Sequence, residues 1–113
     1  MAHYIIYFNQ QWVGDHSPEW VAGRGPLASA VVSDIEDTGA LVFAAGVHED
    51  DDAAFTADAT SGATVIASGP FAPGEQRIGG FTIIDVADDD TAKVWAGRIA
   101  EACGWPQEVR RVS

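Results

Sequence analysis

The chain has 113 residues, 47% of them hydrophobic, which suffices for one small core and leaves no material for a second domain. Six Lys and Arg stand against 17 Asp and Glu, a net charge of −11, so phosphate backbones and anionic lipid surfaces are repelled and neither nucleic acid nor a membrane is an expected partner. Cys103 is the only cysteine, which excludes an intrachain disulfide and fits a reducing cytoplasm.

Met1 to Phe8, MAHYIIYF, carries no basic leader and too short an apolar run for a signal peptide or a spanning helix, so His3 to Phe8 reads as a first strand. Both of its alternating faces are bulky, Ile5 and Tyr7 on one, Tyr4, Ile6 and Phe8 on the other. Such a strand needs cover on both sides. After a loop at Gln11 to His16, Ser17-Pro18-Glu19 reads as N-cap, N1 proline and first-turn acid. Gly23, Gly25 and Pro26 are expected to break that opening, leaving a short turn near Trp20 and one solid helix from Pro26 to Asp37. Thr38-Gly39 stops it, and Ala40 to Val47 follows as a buried strand.

His48 to Asp52, HEDDD, is an acidic loop whose burial would be too costly, so it marks a rim in water. Ala54 to Thr60 and Ala63 to Ser68 flank Ser61-Gly62 as a hairpin. The turn Ser68-Gly69-Pro70-Phe71 follows, and Gly79-Gly80 leads into the strand Phe81 to Val86. Asp88-Asp89-Asp90 supplies a cap and favourable charge at the start of a helix. Ala92, Trp95, Ala96, Ile99, Ala102 and Cys103 form its apolar stripe, and Gly104 ends it. Gln107 to Val112 is the last strand. Strand, helix, strand, hairpin, strand, helix, strand gives an α+β, ferredoxin-like sandwich, an antiparallel sheet with two helices on one face. The other sheet face stays apolar, and a second copy of the chain is the expected cover.

The motifs Gly39-Ala40-Leu41-Val42, Ser68-Gly69-Pro70-Phe71, Gly79-Gly80-Phe81, Ile83-Ile84-Asp85-Val86, Ala92 with Trp95-Ala96, and Glu108-Val109-Arg110 together resemble the YCII-related (DGPF) family. The resemblance implies a dimeric α/β barrel of that type, and for some relatives a link to sigma-factor regulation. Two departures bear on activity: Ser68 stands where the family's turn begins with Asp, and the charged segment before its G-G-F is replaced around Glu75-Gln76-Arg77. The first helix offers no His for the family's His and Asp pair, although Asp37 falls at the position of the Asp, so the pair does not carry over and Asp37 reads as a surface residue.

His48, at the end of a strand, is the candidate general base or ligand, against the plainer reading of a solvated rim histidine. Arg77 is placed to hold an anionic group, with a salt bridge to a nearby acid as the commoner outcome. Tyr7, Trp20 and Phe71, with Trp12, are aromatics suited to a pocket or a core, and Ser68 joins the ligand-binding set through the turn motif. The consecutive acids lack the ligand spacing of a calcium loop, no zinc spacing, phosphate loop or dinucleotide fingerprint occurs, and no metal or cofactor is expected. Cys103 reads as packing. The expected function is a small homodimeric protein that binds a small molecule in a cleft beside the sheet. A lyase, hydrolase or isomerase using His48 with Arg77 is the alternative, and an accessory protein a third.

Overall fold

A computed structural model of the chain describes residues 1–50, 53–72 and 76–112. Asp51, Asp52 and Glu75, part of the acidic loop and of the altered charged segment, lie outside them. The elements run β1 (Ala2–Asn9), a 3-10 turn (Gln10–Trp12), α1 (Pro18–Asp37), β2 (Leu41–Gly46), β3 (Phe55–Asp58), β4 (Val65–Ser68), β5 (Ile78–Val86), α2 (Asp89–Cys103) and β6 (Glu108–Val112). Four strands form one antiparallel sheet in the order β2-β5-β1-β6, and β3 pairs with β4 in a separate two-stranded sheet. The protein is therefore α+β, and its sheet is open, with no closed barrel.

Period-two alternation decides what each strand buries. Tyr4 and Ile6 of β1 and Thr82, Ile84 and Val86 of β5 are buried and face the helices. Val31 and Ile35 of α1 and Ala92, Ala96, Ile99 and Cys103 of α2 complete the core. Ile6, Ile35 and Ile84 are fully enclosed, each stabilising the fold by about 1.5–3 kcal/mol through removal from water. An ion pair from Arg98 to Asp34 ties α2 to α1.

The molecule measures 18 Å along its shortest axis, the depth of one sheet and one layer of helices. Ile5, Phe81 and Ile83 on the opposite face are only half-buried and Phe43 is exposed, so this face is apolar and uncovered. Register places Ile5 opposite Ile83 and Phe43 beside it, while Glu108 and Arg110 make the β6 margin polar.

α1 corrects the expectation of a helix confined to Pro26 to Asp37: it begins at Pro18 and runs through Pro26. Ser17 caps it, its hydroxyl accepting from the Trp20 N–H at 3.2 Å. Gly23 and Gly25, both ahead of Pro26, carry no side chain to crowd the proline ring, and the well-capped start holds the first two turns. α2 starts as the three aspartates imply, with the Asp88 carboxylate accepting from the Thr91 N–H at 2.9 Å and the Thr91 hydroxyl at 2.7 Å. β5 is longer than read, because Gly79 and Gly80 belong to it and are buried. A Cβ on Gly80 would stand 2.9 Å from the Phe8 ring, which occupies the space that these two residues leave. The β3–β4 hairpin turns through Gly62 at φ +95° as expected, but it pairs with no strand of the main sheet.

Candidate functional site

The core residues of α1 all lie in its second half. Around its middle the positions that face the sheet are small: Gly25, Ala28 and Ser29 on the helix, Ala44, Gly46 and Gly80 on β2 and β5. Small residues on both walls cannot fill the interval, and a cleft of about 360 Å³ remains between α1, the β2–β5 side of the sheet and the end of α2. Phe8, Ile99 and Trp105 give it apolar walls, and Thr82 contributes a buried hydroxyl.

The Trp105 end is held by ring contacts. Trp105 lies 5.1 Å from Phe8 and 6.2 Å from Trp20 between ring centroids. Trp20 stacks on His16 at 3.6 Å and carries the Arg24 guanidinium 4.4 Å from its ring centre. Beneath it, Gly104 ends α2 at φ +89°, its N–H donating to the Ala100 carbonyl at 2.8 Å. A Cβ there would approach the Trp20 ring to 2.7 Å, so glycine is needed both for the left-handed turn and for the ring above it.

Arg24 is the one charged side chain in the described lining at this end of the cleft. The Nε1 of Trp105 and the Nε2 of Gln107 are buried with no hydrogen-bond partner among the described residues. Arg24 forms no ion pair among them either, whereas Arg98, Arg110 and Arg111 pair with Asp34, Glu108 and Asp89. The described lining includes no Asp, Glu or His. Burial pushes the Cys103 thiol up from its ordinary pKa, with nearby Arg24 pulling weakly the other way, so the sulfur is a neutral wall and a poor nucleophile.

The residues singled out from sequence fall in different places. Tyr7 lies on the uncovered sheet face, where its hydroxyl donates to Glu108 and accepts from Arg110 Nε at 3.3 Å, with Trp12 5.9 Å away. That contact and Arg110 hold the Glu108 carboxyl below the usual range. Trp20 borders the cleft end. Ser68 closes β4 and is exposed, and Phe71, 77% exposed, lines a shallow hollow on the hairpin with Thr56, Val65 and Pro70. Arg77 lies at the entry to β5, its N–H donating to Gln11 Oε1 at 3.2 Å and its carbonyl accepting from the Gln10 N–H at 2.8 Å. His48 is exposed just past β2, and neither it nor Arg77 lines the cleft.

Sequence reasoning passed over Arg24, Trp105 and Gln107. A signal was present: an arginine one turn after a capped tryptophan, inside a run of small residues, in a chain poor in cations. Among the described residues no three His, Cys, Asp or Glu side chains gather in a way that could hold a metal ion, and no helix is long and apolar enough to cross a membrane. Comparison with models of known protein families and with curated proteins returns no match for this chain.

Proposed function

We propose that this chain is a binding domain for a small, partly apolar molecule, of the YCII-related type and working as a cytoplasmic homodimer. The observation that carries the reading is the cleft under α1, walled mainly by apolar side chains and ending at Arg24, which makes no ion pair among the described residues. A pocket near the small end of the usual ~300–1,000 Å³ range suits a single ring or a short chain. Two strand-helix-strand units in the order β2-β5-β1-β6 support a ferredoxin-like sandwich, and the bare face around Phe43, Phe81 and Ile83 supports pairing of two copies through their sheets as a dimeric α/β barrel.

The test has two arms. Sedimentation of the purified chain is expected to give a dimer that Ile83→Lys converts to a monomer, and a wild-type monomer at high concentration refutes the pairing. A thermal-shift screen of small aromatic and aliphatic molecules is expected to find stabilising compounds whose effect Ala28→Phe, which fills the cleft, removes. Stabilisation that survives this filling places binding elsewhere and refutes the cleft.

A further inference from the structure

We infer that the ligand of this cleft is a small amphipathic monocarboxylate, its carboxylate held by Arg24 at the Trp105 end and its apolar body lying between α1 and the sheet. The inference rests on the binding reading above and adds the chemical class.

The argument begins with charge. With 17 acidic residues against six cations, an arginine in this protein has many possible partners. Arg98, Arg110 and Arg111 each take one. Arg24 instead lies over the Trp20 ring, with its guanidinium carbon 3.6 Å from the position of a Cβ on Gly104 and no carboxylate bonded among the described residues. Stacking on an aromatic ring fixes the plane of a guanidinium while leaving its N–H edge free for a bidentate acceptor.

The second observation is the lining itself. Arg24 is the one charged side chain among the described lining residues, which include no Asp, Glu or His, so no carboxylate competes for it there and an anionic acceptor group is the partner that suits it.

The third is shape. Away from Arg24 the walls are mainly Phe8, Ala28, Ala44 and Ile99, with the hydroxyl-bearing Ser29 and Thr82 beside them, and they offer burial to the body of the ligand. A molecule that is polar throughout would lose hydration there without compensation. The net charge of −11 also disfavours polyanions, since a single negative charge meets Arg24 whereas several meet the field of the whole molecule. Cys103, kept protonated by burial, adds no opposing charge at this wall.

Titration calorimetry and tryptophan fluorescence with phenylacetate, hexanoate, phenylacetamide and acetate test the inference. Phenylacetate and hexanoate are expected to bind and perturb the emission of Trp20 and Trp105, phenylacetamide to bind at least tenfold more weakly, and acetate not to bind. Arg24→Gln is expected to lower phenylacetate affinity to that of the amide while leaving the melting temperature near wild type, and Arg24→Lys to restore part of the loss. Equal binding of phenylacetate and phenylacetamide, or unchanged discrimination in Arg24→Gln, overturns the carboxylate inference and leaves the cleft reading standing. Failure of all four probes to bind overturns the carboxylate inference, and the cleft reading is then decided by the uncharged members of the thermal-shift screen.

Discussion

Replacing Gly104 by Ala perturbs the support of the cleft at one atom, and Gly39 provides the matching control. Both glycines follow a helix, at φ +89° and φ +79°. An L-residue in that region costs about 1–2 kcal/mol, partly offset by about 0.4–1 kcal/mol from the stiffer unfolded chain. At Gly39 nothing lies within 4 Å of an added Cβ, so Gly39→Ala should cost about 1 kcal/mol, taken from the same two contributions. At Gly104 the Cβ lands 2.7 and 2.9 Å from two carbons of the Trp20 ring. The ring is held by its stack on His16 and by Trp105, so it cannot retreat freely, and overpacking of this kind adds about 1–3 kcal/mol. Gly104→Ala should therefore cost about 2–4 kcal/mol in total, and at about 4 °C per kcal/mol it should melt some 4–12 °C below Gly39→Ala. Calorimetric melts and denaturant titrations of the two variants side by side give the difference. Equal losses in the two variants would show that Trp20 does not pack on the end of α2, and the account of the donor end of the cleft would go with it.

The start of α2 gives a pH dependence: the Thr91 hydroxyl and then its N–H hold the Asp88 carboxyl below the ordinary aspartate range. A folded value below the unfolded one means that the stabilisation is complete above about pH 4 and drains away as pH falls through the lower folded value. Asp88→Ala should thus lower the melting temperature at pH 7 and converge on wild type in strong acid, and a constant gap between the two melts across that range would contradict the assignment. The buried Cys103 thiol should react with alkylating reagents only as fast as the structure opens, with labelling rising along the denaturant unfolding curve; labelling of the native protein at the rate of the denatured chain would refute its placement.

The fold was legible where a single physical rule governed a segment. Ser17-Pro18, Asp88 and Gly104 are local cap signals, and the structure realises each one because the groups they satisfy lie within a turn of them. Alternation in HYIIYF and FTIIDV identified strands that bury one face and leave the other bare. Pro26 misled because its cost depends on neighbours: with Gly23 and Gly25 before it, the first half of α1 survives and becomes the roof of the cleft. The candidate site was less legible, since it exists by subtraction. No motif marks a gap left by Ala28, Ala44 and Gly80, which only come together once the register of β2 on β5 is set and α1 is packed over it. His48 and Arg77 drew attention as charged residues at strand ends, whereas Arg24 mattered through what it fails to touch.

The pairing of β2 with β5 has a consequence for how the chain can be rebuilt. These strands are antiparallel neighbours, and the Val47 N–H still donates to the Gly79 carbonyl at 2.9 Å where they part. Topologically they are the two arms of one tight bend, and everything between them is a detour that leaves and returns at almost the same point. A two-residue reverse turn would close that gap, so the detour with its β3–β4 finger is a natural cassette: removable, exchangeable, and free to vary in length while the four-stranded scaffold stays as it is.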